Sequence, residues 1–248
     1  MVVIISIILI CIVLFILVVA HVLQDRIIFP MVGINTPSNI PIAELLERNI
    51  DSIRIQGWYR KIPHERGLVV IFHGNGETID GYYPIIEKYN DMGYSVLVPE
   101  YRGYGRSGGF PTVDAISEDV TYFIDTVGYS GDLVYHGISI GGGLASATCL
   151  NKSPDILILQ STFTSLGDLA SDFYIPSFLL KQSMNTLGVL ESIDSRVFII
   201  HGESDSLISL KHAMKLQRYA EDRYFIPNGG HNLAMDSKFW QKIDSFIR

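Results

Sequence analysis

The chain has 248 residues, which is enough for one domain with a full hydrophobic core. Its formal net charge of −7 and its lack of a basic stretch argue against nucleic acid as a partner. Cys11 and Cys149 have neither metal-ligand spacing nor the pattern of a disulfide framework, and the histidines and carboxylates lack zinc-site spacing. We therefore expect no metal and no organic cofactor.

The N-terminal stretch from Val2 to Ala20 is apolar and carries no charge. Its length is close to the ~20 residues that a helix needs to cross a bilayer. A signal peptide would have a basic start and an apolar core of roughly 7–15 residues, and this stretch has no Lys or Arg before it. We predict a single-pass transmembrane anchor over residues 1–24, followed by a folded domain over 25–248. Secretion after cleavage of a signal peptide is the alternative.

Beyond a proline-containing segment that reaches residue 41, residues 40–50 have no clear hydrophobic period, whereas residues 52–60 alternate like an edge strand. Apolar runs predict further, buried strands at 67–72, 94–98, 133–135, 155–160, 196–200 and 222–227. Helices are predicted at 78–92, 112–127, 144–150, 209–220 and 232–247. Because strands and helices alternate, the expected fold is α/β, with a mainly parallel sheet covered by helices on both faces.

The sequence Gly137-Ile-Ser139-Ile-Gly141 lies between a predicted strand and a predicted helix. This context is typical of a nucleophile elbow, in which small neighbours let the serine stand on a strained turn with its hydroxyl exposed. The backbone N–H of Ile140 would then lie at a helix N-terminus, where it could stabilise an oxyanion. Taken alone the motif is weak, because a serine in any glycine-rich loop fits it.

Two later loops carry the groups that a nucleophilic serine needs. Asp205 follows the strand at 196–200 and His231 follows the strand at 222–227, so both lie at the edge where catalytic groups of parallel sheets gather. The order Ser139, Asp205, His231 is the hydrolase order. His231 would take the serine proton, and Asp205 would fix its tautomer and stabilise the imidazolium. Glu203 is the alternative acid, but Asp205 lies deeper in the loop.

The loop after the strand at 67–72 contains Asn75 between two glycines, and its backbone N–H is the predicted second oxyanion donor. A tight turn without a ligand is the alternative. We interpret Arg102 chiefly as a tie between loops through backbone carbonyls, rather than as a substrate ligand. Residues 162–193 are an insertion in the alternation of strands and helices. They form either a small cap with an apolar wall for an acyl chain or a crossover helix packed on the sheet. His73, His136 and His201 are expected to be packed or loop histidines, and His21, His64 and His212 to be surface or interface residues.

Taken together, several motifs resemble the α/β-hydrolases, and within them the membrane-anchored Bem46-like group, which is related to the abhydrolase domain-containing 12 and 13 proteins. They are His73-Gly-Asn-Gly, Glu100-Tyr-Arg-Gly-Tyr-Gly-Arg-Ser-Gly108, Gly137-Ile-Ser-Ile-Gly-Gly142, His201-Gly-Glu-Ser-Asp205 and Gly229-Gly-His-Asn232. The family loop is more often H-G-N-A-G, and here Gly76-Glu77 replaces the small pair.

This resemblance implies a serine hydrolase that acts on carboxylic esters. Its partners would be a small-molecule or lipid ester and, through the N-terminal helix, a membrane. A thioesterase, an amidase or peptidase, an acyltransferase and a catalytically silent binding protein of the same fold remain the alternatives.

Overall fold

The computed structural model describes residues 2–33 and 43–248. The helices are α1 Val2–Ile28, α2 Tyr83–Asp91, α3 Val113–Val127, α4 Ile140–Cys149, α5 Leu166–Asp172, α6 Thr186–Leu190, α7 Leu210–Leu216 and α8 Ser237–Ile247. The strands are β1 Glu44–Ile50, β2 Ile53–Arg60, β3 Gly67–Phe72, β4 Ser95–Pro99, β5 Asp132–Ile138, β6 Ile156–Gln160, β7 Arg196–Gly202 and β8 Asp222–Ile226. Short 3-10 helices lie at Ile79–Tyr82, Ser177–Leu179 and Gln217–Tyr219.

Within these residues the strands form one sheet in the order β1-β2-β4-β3-β5-β6-β7-β8. β1, β2 and β4 pair antiparallel, and every other pairing is parallel. Alternate side chains of β3 belong to two separate cores, because Leu68 and Val70 pack with α3 and α4 whereas Val69 and Ile71 pack with α2 and α8. The predicted mainly parallel sheet with helices on both faces is therefore confirmed.

The strand β1 was not predicted from the sequence. It pairs along its whole length with β2, from Glu44 opposite Tyr59 to Ile50 opposite Ile53. Most of its side chains are exposed or half-buried, because it is the edge strand of the sheet. An edge strand with little burial on either face carries no strong hydrophobic period, and residues 40–50 therefore gave no strand signal.

The N-terminal helix differs from its prediction. α1 does not end at residue 24 but continues to Ile28, where Gln24 and Ile28 are buried and the following Phe29 belongs to the core. Across residues 2–33 and 43–248, none of the helices combines the length and the mean hydropathy of a membrane-spanning segment. The transmembrane anchor predicted for residues 1–24 is therefore not supported. The later part of the predicted proline-containing segment, residues 34–41, lies outside the described residues.

His136 on β5 is fully buried beneath the sheet edge that carries Ser139. Its Nδ1 lies 2.8 Å from the Tyr89 hydroxyl and its Nε2 lies 3.0 Å from Oε1 of Gln160. The neutral ring satisfies both contacts, with Nε2–H donating to Gln160 and Nδ1 accepting from Tyr89. Burial disfavours the charged ring and lowers the pKa of His136 to about 4.

The burial of His136 predicts a loss of stability in acid. An unfolded histidine titrates near pH 6.5, so between about pH 6.5 and pH 4 the unfolded chain binds a proton that folded His136 does not bind. The free energy of unfolding should therefore fall with falling pH in this window, by on the order of 3 kcal/mol from this group. Urea unfolding at several pH values should give a smaller loss in His136→Gln than in the wild type. The control Asn151→Gln, at an exposed position without a titratable side chain, should retain the wild-type slope, and an equal slope in His136→Gln would contradict the assignment.

Candidate active site

Ser139 follows the last residue of β5 and has φ 56° and ψ −119°, which is a rare backbone conformation for a residue with a side chain. Its backbone N–H donates to the carbonyl of Gln160 at 2.9 Å, and its own carbonyl accepts from Oγ1 of Thr162 at 2.7 Å. Both partners come from the end of β6 and the residues after it. These bonds hold the strained residue at the carboxyl edge of the sheet.

The helix α4 begins against the end of β3. A Cβ placed on Gly141 would lie 2.1 Å from the carbonyl oxygen of Phe72 and 2.7 Å from that of His73, so no larger residue fits. This close approach puts Ile140 beside the loop that follows β3. As the first residue of α4, Ile140 has a backbone N–H with no acceptor inside the helix.

The structure brings Ser139, His231 and Asp205 together. Nε2 of His231 lies 2.9 Å from Oγ of Ser139, and Nδ1 of His231 lies 2.8 Å from Oδ2 of Asp205. The loop that carries His231 bends tightly over the end of β7, since a Cβ on Gly202 would lie 2.3 Å from the carbonyl oxygen of Gly229. The alternative acid Glu203 is exposed. Among the described residues, the carboxylate that accepts from His231 is that of Asp205, not that of Glu203.

Asp205 is held by more than His231. Its Oδ1 accepts from the backbone N–H groups of Leu207 and Ile208, each at 2.9 Å. Burial by itself raises the pKa of the carboxyl, but the hydrogen bonds from His231, Ile208 and Leu207 outweigh it and leave the pKa lowered. Asp205 is thus an acceptor-only carboxylate at neutral pH. It fixes the proton of His231 on Nδ1 and leaves Nε2 free to accept from the Ser139 hydroxyl.

Of the other histidines, His201 lies beside this chain of hydrogen bonds, with its Nε2 2.8 Å from the carbonyl of Ile208 and 3.5 Å from Oδ2 of Asp205. His73, His136 and His201 are buried, as expected. The expectation that His212 is a surface or interface residue is wrong, because His212 is buried with Nδ1 at 2.9 Å from Oγ1 of Thr164 and Nε2 at 3.1 Å from Oδ2 of Asp172. Its position in a short amphipathic helix gave no sign of these two partners.

The loop after β3 is fixed by its own side chains. The backbone N–H of Gly74 donates to Oε2 of Glu77 at 2.8 Å and also approaches the Tyr82 hydroxyl at 3.2 Å. The Tyr82 hydroxyl donates to the same carboxylate oxygen. Glu77, which stands where the resembling family has a small residue, thus takes up the N–H of Gly74. The N–H of Asn75 stays the predicted second oxyanion donor, and Asn75 lies with Ser139 and Ile140 around one cavity.

A second layer of side chains, which was not predicted from the sequence, lies behind this loop and supports it. The Tyr104 hydroxyl donates to Oδ1 of Asn75 at 3.1 Å, and the Tyr101 hydroxyl donates to the carbonyl of His73 at 3.0 Å. The Tyr101 ring also stacks on the His73 ring, with centroids 3.7 Å apart. Nε2 of His73 in turn lies 3.3 Å from Oε1 of the buried Glu100. The feature of the sequence that could have indicated these contacts is the presence of two tyrosines in a glycine-rich loop.

Arg102 ties its loop to the rest of the molecule, as interpreted, but through a carboxylate rather than through backbone carbonyls. Its Nε lies 2.6 Å and its Nη2 lies 3.0 Å from the two oxygens of Asp119 on α3. Such a bidentate pair fixes the loop in position as well as orientation. The guanidinium is thereby committed within the protein.

Two cavities meet at Ser139, and Asn75 and Leu207 also line both of them. The first cavity, of about 300 Å³, is lined mainly by apolar side chains from α1, α5 and residues 173–180. The second cavity, of about 550 Å³, has more polar walls, which include Glu77, Gln160 and His231. Within the segment 162–193, side chains between Phe163 and Leu180 border the first cavity, whereas α6 packs against α4 in the core.

Comparisons with known proteins agree with this architecture. The model of the Hydrolase_4 family, described as serine aminopeptidase S33, matches residues 63–181. The uncharacterized protein YfhR of Escherichia coli K12 is 28% identical over 201 residues, which cover 73% of this chain and 70% of YfhR. The uncharacterized membrane protein YNL320W of Saccharomyces cerevisiae is 26% identical over 252 residues, which cover 90% of this chain and 88% of that protein.

Among solved structures, the esterase Pf2001 of Pyrococcus furiosus superposes with a TM-score of 0.68 at 19% identity. The superposition covers 87% of this chain and 94% of the esterase. At this identity the likeness concerns the fold. It shows the α/β-hydrolase fold, and the match of residues 63–181 to the Hydrolase_4 model agrees with that fold.

The second layer behind Asn75 predicts a measurable effect of one hydroxyl. Tyr104→Phe removes the hydrogen bond to Oδ1 of Asn75, and a neutral hydrogen bond of this kind is worth about 1 kcal/mol. We expect kcat/KM for p-nitrophenyl butyrate to fall by roughly fivefold, because the predicted oxyanion donor is held less firmly. The exposed control Tyr129→Phe should retain the wild-type value, and equal values for the two variants would count against a supporting role for Tyr104.

Proposed function

The chain has the α/β-hydrolase fold, and from this premise we propose that it is a serine hydrolase of carboxylic esters. In this proposal Ser139 is the nucleophile, His231 the general base and Asp205 the group that orients and stabilises His231. The observation that carries the proposal is the continuous chain of hydrogen bonds from Ser139 through His231 to Asp205, with distances of 2.9 and 2.8 Å. The lowered pKa of Asp205 supports its part in this chain.

In the acylation half of the reaction, Oγ of Ser139 attacks the ester carbonyl carbon while Nε2 of His231 takes the hydroxyl proton. The carbonyl oxygen becomes an oxyanion and accepts from the backbone N–H groups of Ile140 and Asn75, each worth ~3–4 kcal/mol in comparable sites. The carbon–oxygen bond to the alcohol then breaks. His231 gives its proton to the departing alkoxide, which leaves as the alcohol.

Deacylation repeats these steps with water. His231 takes a proton from a water molecule, and the resulting nucleophile attacks the acyl carbon bound to Ser139. The second oxyanion occupies the same N–H groups. When it collapses, Oγ of Ser139 leaves and recovers its proton from His231, and the carboxylic acid is released.

The two cavities favour a substrate with an apolar acyl group and a more polar alcohol. The apolar first cavity suits a hydrocarbon chain, and the second cavity offers polar groups such as Gln160 and Asn232. The aminopeptidase description of the matching family makes amide hydrolysis the second candidate. Recognition of an N-terminal ammonium would call for a free carboxylate. Among the described residues that line the two cavities, the carboxylate is Glu77, and it is already bonded to Gly74 and Tyr82.

A fluorophosphonate probe tests the nucleophile, and paired substrates test the bond that is cleaved. The full chain should be labelled by the probe, and Ser139→Ala should lose both the labelling and all hydrolysis while keeping the wild-type circular dichroism. A p-nitrophenyl ester should be hydrolysed at least about a hundredfold faster than an alanine p-nitroanilide. Faster cleavage of the anilide would favour the peptidase, and an unlabelled but folded wild type would favour a binding protein.

We also propose that α1 holds the protein against a membrane. Ile8, Phe15 and Val22 follow one another at intervals of seven residues on one face of α1, and each is at least half exposed. Apolar surface of this extent marks an interaction site. The yeast relative is itself described as a membrane protein.

Vesicle flotation tests the membrane contact. The full chain should float with phosphatidylcholine vesicles, and a variant with Ile8, Phe15 and Val22 changed to Ser should stay at the bottom of the gradient. The matched control Phe110→Ser removes an exposed apolar side chain from another part of the surface and should float. Equal flotation of the triple variant and the wild type would contradict the contact.

A further inference from the structure

The last turns of α1 lie at the catalytic site rather than apart from it. His21, Gln24, Ile27 and Ile28 line the first cavity together with Ser139. Their spacing places them on one face of the helix, which is the face turned toward the catalytic serine. Ile28 is almost fully buried, with 9% of its surface exposed, whereas Ile27 stands exposed at the rim of the cavity.

Gln24 fixes this face of α1 to the opposite wall. Its Nε2 donates to the carbonyl of Leu179 at 2.8 Å, and its Oε1 accepts from the backbone N–H of Lys181 at 2.7 Å. The side chain is 93% removed from solvent, since its residue retains 7% exposure. Both ends of the amide are thus used by the backbone of one segment, in the way that a neighbouring strand would use them. A ring nitrogen of His21 lies 2.8 Å from the same carbonyl of Leu179.

The chain after α1 is fixed as well. Phe29 is buried in the core, and the carbonyl of Val32 accepts from the backbone N–H of Gly105 at 2.7 Å. Gly105 belongs to the loop that also carries Tyr104, whose hydroxyl bonds to Asn75. The end of α1 is therefore held between residues 179–181 on one side and the support of the predicted oxyanion loop on the other.

The polar side chains on this face of α1 are hydrogen-bonded within the protein, so the surface that faces a ligand is apolar. His21 and Gln24 are bonded to Leu179 and Lys181, whereas Ile27 and Ile28 present hydrocarbon to the cavity. We propose that residues 21–28 of α1 are a specificity-determining wall of the catalytic pocket, against which the apolar acyl chain of the substrate lies. The inference rests on the proposed ester hydrolysis and names the part of the chain that selects its acyl group.

A chain-length series on the full protein tests the wall through catalysis. Ile27→Trp places a larger ring at the rim of the first cavity, so kcat/KM for p-nitrophenyl laurate should fall relative to that for p-nitrophenyl butyrate by roughly tenfold. The control Leu23→Trp alters an exposed side chain of α1 that lines neither cavity and is not part of the row Ile8, Phe15 and Val22, and it should keep the wild-type ratio. Labelling by a short-chain fluorophosphonate should be equal in the control variant and the wild type, because Ser139 and His231 are untouched.

A binding measurement separates this inference from the proposed chemistry. In the full-length Ser139→Ala protein, laurate should displace a fluorescent fatty acid, and adding Ile27→Trp should weaken laurate roughly tenfold whereas adding Leu23→Trp should not. If no ester is hydrolysed but laurate binding depends on Ile27, the proposed function is contradicted, and the proposal that residues 21–28 contact the acyl chain is supported. If esters are hydrolysed but Ile27→Trp changes neither the laurate-to-butyrate ratio nor laurate affinity, ester hydrolysis is supported and the proposed role of residues 21–28 is contradicted. Absence of laurate binding to Ser139→Ala also overturns the wall.

Discussion

The site depends on the fixed position of one strained residue. Ser139 has a positive φ of 56°, and a conformation of this kind costs a residue with a side chain of order 1–3 kcal/mol. It persists because β5 is paired with both β3 and β6 and because α4 starts in contact with the end of β3 at Gly141. Since the serine cannot move, the groups that act on it must come from other strand ends.

The topology brings those groups to it. The loop after β7 carries Asp205, the loop after β8 carries His231, and the loop after β3 carries Asn75, and all of these parallel strands end at one edge of the sheet. Asp205 is then locked by backbone N–H groups of its own loop. The proposed reaction therefore needs no rearrangement of the three side chains before the first proton transfer.

The buried strands were predictable because a strand covered on both faces must be apolar at nearly every position, as Gly67–Phe72 is. Ser139, Asp205 and His231 were predictable as candidates because each follows such a strand in the hydrolase order. The supporting contacts were not, because they join residues that are distant in sequence. The bond from Tyr104 to Asn75 follows from how two loops pack, and no local pattern encodes it.

The helix α1 illustrates the same limit. Its composition reports only that it is apolar, and the predicted anchor therefore ended at residue 24. Gln24 and the following Asp25 instead form the contact with residues 179–182 that docks the helix on the domain. One helix thus has an exposed apolar part and a docked part, and hydrophobicity alone does not distinguish them. A domain cut at residue 25 would lose the Gln24 bridge and part of the cavity wall.

The most direct test of the central claim is to locate the covalent intermediate. The full chain would be mixed with diethyl p-nitrophenyl phosphate, digested and mapped by mass spectrometry, with His231→Ala and the buried-histidine control His212→Ala beside it. Our account predicts a diethylphosphate adduct on the peptide that contains Ser139, a rate of adduct formation at least about a thousandfold lower in His231→Ala, and a much smaller loss in His212→Ala. An adduct on another residue, or one on Ser139 that forms equally fast without His231, would contradict the account.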